Sequence, residues 1–293
     1  MSDTALAVAF SLGTALSSAT FSLLVRRGQR HGNAVTGVLI GLIVSSPVLV
    51  FLAAAFWDPS WWNPRAVSFF IAAGLAGSAA GRVFLYLGIH HLGVARSMPM
   101  ISTTPLFSAL LAYGFLGERP GPFIWAGTFL VVGGCGTLTL KKKGDLTWDR
   151  RFLWVPFFAV VGFSISNAAR KAGISLVPSP LFAATVTSVS SLFFMTALFR
   201  FLPETHRPDL RWGKAWYFYG ACGLLNSFAF LVSFYALIYG DLTIVSPLTS
   251  TVPVFSLLLS WIFLRDLERV TGLIVAGTLL TVLGAALIAW RIL

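Results

Sequence analysis

Ten long apolar runs fill this chain, and nine of them contain no Asp, Glu, Lys or Arg. They are Thr4–Val25, Val35–Phe56, Ala66–Leu87, Ser97–Leu116, Phe123–Leu140, Phe152–Ala169, Pro180–Phe199, Ala215–Ile238, Thr243–Leu264 and Thr271–Trp290. Crossing ~30 Å of hydrocarbon takes about 20 apolar residues, so each run is about the right length. Lipid offers no partner to a backbone N–H or C=O, so only helices and closed barrels span it. Runs this long, without strict alternation, are helices. The expected fold is therefore an all-α integral membrane protein with ten transmembrane helices. Composition agrees: 57% of residues are hydrophobic and 11% charged, against roughly 25% charged in an average soluble domain.

The net charge of +11 does not mark a nucleic-acid binder. The cations sit in short clusters between apolar runs rather than along one basic stripe. Cys135 and Cys222 both lie inside apolar runs and read as small hydrophobes rather than a disulfide. Met1-Ser2-Asp3 lacks the positive segment of a signal peptide, so the first run is expected to be a membrane helix. The longest connection, Arg200–Lys214, leaves no room for a soluble domain. Function is expected inside the membrane.

The chain also repeats itself. A shift of 148 places Pro99–Leu116 on Pro247–Leu264 with ten of eighteen positions identical, including Pro99/Pro247, Ser102/Ser250, Thr103/Thr251 and Pro105/Pro253. Two extra residues enter the second copy, and after them Glu118-Arg119 meets Glu268-Arg269. The implied units are residues 1–146 and 147–293, with five helices each. Five is odd, so the second unit enters the membrane upside down. Odd-numbered loops hold 15 cations. The other side holds Arg65, Arg119, Arg170, Lys171 and Arg291. The positive-inside rule puts the odd loops in the cytoplasm and both termini outside, in the periplasm of a bacterial inner membrane.

Inverted repeats place a substrate near the bilayer midplane, where bent helices often line the path. The fourth and ninth runs carry paired prolines, Pro99 and Pro105, Pro247 and Pro253, beside Ser102-Thr103 and Ser250-Thr251. Each proline frees a carbonyl one turn back and can bend the helix. The plainer reading is that these hydroxyls only mend the bend. Arg82 is the charge inside a run, costly unless it faces a cavity or snorkels to the headgroups. Ser78, Tyr86, Asn167 and Asn226 are further pathway candidates, and each can instead simply bond a neighbouring helix. Ser17, Ser18 and Ser22 are weaker ones. Gly74, Gly77 and Gly81 are spaced for close helix packing. The repeat sets Arg82 on Phe230 and Ser78 on Asn226. No run holds a carboxylate, so the expected solute is zwitterionic, neutral or anionic, with Arg82 meeting its carboxylate or phosphate. His90 and His91 read as interfacial residues at a helix end rather than as a proton path.

Two five-helix halves, proline-rich fourth and ninth helices and the motifs Gly117-Glu118-Arg119 and Leu267-Glu268-Arg269 before glycine-rich helices resemble one family. It is the EamA-type family of the drug/metabolite transporter superfamily. The resemblance implies a basket of helices around a central cavity, with the fifth and tenth helices peripheral. It also implies export of small metabolites such as amino acids, with no cofactor. The first helix, Phe10-Ser11-Leu12-Gly13-Thr14, lacks the tryptophan many members carry there. The membrane glutamate of the small multidrug relatives is absent from the runs. A nucleotide-sugar or lipid-linked-sugar carrier of the same fold is the alternative. An intramembrane enzyme is not expected, because the acids are scattered and no His/Asp/Glu cluster or nucleophile motif is present. The expected partners are a small solute and membrane lipid, with a homodimer left open. No nucleic acid and no metal site are expected.

Overall fold

The computed structural model describes residues 3–28, 31–32, 34–92, 100–101, 103–139, 152, 154–199, 208–252, 254–255, 258–259 and 272–292. Among them the chain is helical, with no strand. The first half contains α1 (Asp3–Gly28), α2 (Ala34–Ala55), α3 (Pro64–Ala73), α4 (Arg82–Leu92), α5 (Thr104–Leu111) and α6 (Pro122–Thr139). The second contains α7 (Trp154–Leu176), α8 (Pro180–Phe199), α9 (Lys214–Tyr239), α10 (Leu242–Thr249) and α11 (Gly272–Ile292). Among the described residues, five helical stretches are long and apolar enough to cross a membrane: Asp3–Phe21, Val35–Ala55, Pro64–Leu85, Pro180–Leu198 and Lys214–Tyr239. Thr104–Leu116, Pro122–Thr137 and Ala276–Ile288 are shorter apolar helices. The division expected near residue 146 lies outside the described residues.

Between α3 and α4 the rod widens into a π-helix, Gly74–Gly81. Glycine and alanine dominate it, and they let neighbours approach. A Cβ on Gly77 would strike the Ser166 side chain, and one on Gly162 would come within 2.6 Å of the Ala76 carbonyl. Widened turns loosen the helix's own ladder. Hydroxyls from other helices meet the carbonyls there: Ser166 Oγ donates to Ala73 O at 2.7 Å and Ser191 Oγ to Gly74 O at 3.4 Å. The expectation of close packing at Gly74, Gly77 and Gly81 matches these contacts.

The packing pattern survives exchange of the halves. α1 lies on α9, and α7 on the α3–α4 rod. α2 meets α9, and α8 meets α3 and the π segment. α1 meets α10, and α7 meets α5. α2 with α8, α5 with α10, and α6 with α11 are pairs of equivalents. The directions can be read from contacts. Ser46 touches Ser188, whereas Leu49 O accepts from Thr185, so α2 and α8 are antiparallel. Gly127 lies against Gly284 and Gly134 against Gly277 and Thr281, so α6 and α11 are antiparallel too. Those two pack mainly on each other, at the edge of the bundle.

One boundary differs from the sequence reading. The sixth run was expected to stop at Ala169, leaving Arg170 and Lys171 in a loop. Instead α7 continues to Leu176, and both cations lie within it. Their charges are met by groups of α9 and the turn after it, so the apolar pattern could end without ending the helix.

Candidate functional site

α7 has 23 residues and passes through the centre of the bundle. Its polar face reads Ser164, Asn167 and Lys171, with Ser166 and Arg170 beside them, the three-and-four spacing that aligns side chains along a helix. Ser164 Oγ donates to Thr104 O at 3.3 Å, and Asn167 Nδ2 to Ser108 Oγ at 3.3 Å, joining α7 to α5. On the other side, Arg170 Nη2 donates to Ser233 Oγ of α9 at 2.8 Å. The guanidinium carbon lies 4.3 Å from the Phe234 ring centre and 5.5 Å from that of Phe230. Arg170 Nε is shielded and has no hydrogen-bond partner. Asn167, Arg170, Ser233, Ser246 and Thr249 line a cavity of about 20 Å³ between α7, α9 and α10. That holds about one water.

Lys171 is treated differently. Its Nζ donates to Gly240 O at 2.7 Å and Leu237 O at 2.9 Å, with Asp241 at 3.8 Å. Nearby, Glu118 is 8% exposed, and its two oxygens accept from the N–H groups of Leu242 and Thr243 at 2.7 and 2.9 Å. The carboxylate thus caps α10 from the opposite half of the chain. An acid at a helix N-terminus is favoured both by the free N–H groups and by the helix dipole. Rings close the same end: Trp57 and Trp61 stand against Phe182, and Phe70 joins Phe182 to Phe234. Where the resemblance implies a central cavity, α5 and α10 are in contact among the described residues. Among the described residues, α7 packs on α9, while no comparable contact joins their counterparts α1 and α3–α4.

The two proline motifs are placed alike. The helix is interrupted at Thr103, before α5, and at Ser250-Thr251, after α10. Pro105 and Pro247 are buried. Pro105 stands in the first turn of α5, where its missing N–H leaves no helical bond unmade, and Pro247 lies inside α10, one turn before the break that follows it. Thr103 and Thr104 hydroxyls donate to Met100 O and Ile101 O, each at 2.6 Å, and Thr251 donates to Leu248 O at 2.7 Å. The hydroxyls therefore mend local backbone. Ser250 O accepts from Cys135 Sγ at 3.2 Å. Pro99, Ser102 and Pro253 lie outside the described residues, as do the side chains of Tyr86, Ser22, His90 and His91.

Arg82 begins α4 and is half-buried. It lies level with Gly162 and Phe163, roughly 12 Å along the axis from Arg170 at 1.5 Å per residue. Ser78 is buried in the π segment, and Asn226 is half-buried on α9. Neither they nor Arg82 line the Arg170 cavity. Ser17 spends its hydroxyl on Gly13 O at 2.8 Å. A second cleft, of about 240 Å³, is apolar and lies between α1, α10 and α11, against Val8, Leu12, Leu248 and Val282. The described residues contain no cluster able to hold a metal.

No curated protein matches the sequence. A solved structure described only as "Crystal structure of protein" shares the fold with a TM-score of 0.79 at 18% identity, over 96% of this chain and 95% of the other. The sequence model of the EamA-like transporter family matches twice, at residues 5–140 and 151–290, once on each half. The chain therefore belongs to the EamA-like transporter family, membrane transporters of small solutes.

Proposed function

We propose that this protein carries small polar metabolites, amino acids or related zwitterionic or anionic solutes, by alternating access through ten spans built as two inverted five-helix repeats. The observation that carries this reading is the antiparallel pairing of equivalents, α2 with α8 and α6 with α11. Two copies related that way offer two equivalent ways to close, one toward each side of the membrane. The sealed end at Glu118 and Lys171, with no matching contact of α1 on α3–α4, supports a state closed on one face. The pathway runs past Arg82, Ser78, Tyr86, Asn167 and Asn226 and the broken helices at Ser102, Thr103, Ser250 and Thr251. Pro99, Pro105, Pro247 and Pro253 set the bends.

The charge pattern supports an orientation with odd loops in the cytoplasm. With Arg170 and Lys171 inside α7, the other cations of the opposite side are Arg65 at the start of α3, Arg119 ahead of α6 and Arg291 at the end of α11. Phosphatase fused to the C-terminus is expected to be active in the periplasm of a bacterial host; a silent fusion reverses the orientation. The function itself is tested by counterflow into proteoliposomes, with amino acids, sugars and phosphorylated metabolites as solutes. Saturable exchange of at least one small polar solute is expected. Exchange of nucleotide sugars alone would favour the larger-anion carrier, and flux that never saturates would indicate a channel.

A further inference from the structure

We infer that Arg170, rather than Arg82, is the residue that binds the anionic group of the solute, a carboxylate or a phosphate; this rests on the carrier reading above. An arginine keeps its charge, and a charge withdrawn from water without a counter-ion is expensive. Among the described residues no carboxylate pairs with Arg170. Glu118 is spent on the amides of Leu242 and Thr243, and Asp241 faces Lys171. What Arg170 has instead is two ring faces and one hydroxyl. Rings hold the guanidinium by its flat face and use none of its in-plane N–H donors. Ser233 takes one donor, and Nε has no partner. An arginine fork with idle in-plane donors is matched to the paired oxygens of a carboxylate or phosphate.

The surroundings fit this role. The cavity beside Arg170 also presents Asn167, Ser246 and Thr249, polar groups suited to the rest of a zwitterion or a hydroxylated solute. Its volume of about 20 Å³ takes one oxygen-sized group and no whole metabolite. Room for the remainder requires α10 to swing away from α7. α10 ends at the Ser250-Thr251 break and is held at its start by Glu118, so it is a short segment with a joint at one end and a tie at the other. Lys171 makes the contrast within one turn. Its charge faces Asp241 at 3.8 Å and two of its donors go to the carbonyls of Leu237 and Gly240, so it holds the end of α9.

The test uses the purified full-length chain in detergent and follows its melting temperature with a set of probes. These are neutral-side-chain L-amino acids against their amides, and inorganic phosphate and glycerol phosphate against glycerol. At least one acid or phosphate is expected to stabilise the wild type, while its uncharged partner does not; which acid works separates carboxylate from phosphate. Arg170→Gln is expected to weaken that ligand roughly tenfold to a hundredfold, the effect of losing a charge-assisted pair. Arg170→Lys keeps the charge and is expected to keep part of the binding, which controls for misfolding. Arg65→Gln, at an exposed cation in the first turn of α3, is expected to bind as the wild type does. Equal stabilisation of wild type and Arg170→Gln, amides that bind as well as acids, or a panel with no stabilising anion would each overturn the inference. The carrier reading fails separately: counterflow that persists in Arg170→Gln with unchanged affinity leaves the transporter and removes this anchor, whereas a wild type that exchanges nothing removes both.

Discussion

The two halves share a framework and differ in what they place on it. Helix breaks fall at Thr103 in one half and at Ser250-Thr251 in the other. Glycine contacts join α6 to α11 symmetrically, with Gly127 against Gly284 and Gly134 against Gly277. The charged residues of the interior do not follow this symmetry. Arg82 in the first half corresponds to Phe230 in the second, and Phe230 stacks on Arg170. Among the charged residues in the runs and in α7, Arg82 and Arg170 therefore serve different surroundings. What is duplicated is the machinery for packing and bending, and on the proposal above what is single is the charge a solute meets. Changes to the shared framework should cost stability, and changes to the single residues should alter transport.

The largest effect is expected from the tie between halves. Glu118→Ala leaves two amides of a buried helix start without an acceptor, at roughly 1–3 kcal/mol each. Its melting temperature should fall by several degrees; an unchanged value would mean that the cap is not holding α10. Next comes a neighbouring pair of glycines. A Cβ on Gly134 meets Thr281 N at 2.6 Å and Gly277 O at 2.7 Å, backbone atoms that cannot turn aside, whereas Gly133 has nothing within 4 Å. Gly134→Ala should destabilise by about 1–3 kcal/mol, as overpacking does. Gly133→Ala should be neutral or stabilising by up to about 1 kcal/mol, since alanine favours helix. Equal effects in thermal unfolding would refute the antiparallel fit of α6 on α11.

Lys171 is the sharper trial of the division, because it occurs once and yet is tied to backbone. Lys171→Met should cost roughly 1–3 kcal/mol of stability by stranding two carbonyls, with solute affinity kept. A variant of normal stability that no longer transports would break the division between framework and chemistry. The smallest effect belongs to Asp58, on the exposed turn between α2 and α3. The N–H of Ser60, 2.8 Å away, lowers its pKa below the ordinary 3.8. A lowered carboxylate contributes stability above its unfolded pKa and loses it as the pH falls through the folded value. Asp58→Asn should be slightly less stable than wild type at neutral pH, with the difference vanishing in strong acid where the wild-type carboxyl is also neutral; equal stability at neutral pH would contradict that assignment.

Much of the framework was legible because lipid enforces it. Absence of charge marked the runs, and the matched prolines and Ser-Thr pairs marked the repeat and the breaks. The site was less legible. A charge is the usual sign that a span has ended, so Arg170 and Lys171 were read as a loop. They remain helical because the rings of Phe230 and Phe234 and the carbonyls of Leu237 and Gly240 stand beside them, and those lie sixty or more residues away in sequence. The spacing of Ser164, Asn167 and Lys171 was the available signal, a polar stripe continuing beyond the apolar run. Glu118 offered less, since its partners are 124 and 125 residues distant. The π segment was legible as glycine spacing only, because Ser166 and Ser191 from two other helices complete it.

Alternation is the central claim, and a distance across the sealed end addresses it most directly. Spin labels at Gly121 and Pro178, both exposed, would report from the two halves of that end in a chain whose Cys135 and Cys222 are replaced by alanine. Two distance populations are expected, whose ratio shifts when a solute active in counterflow is added. One narrow distance, unmoved by that solute, would contradict the account.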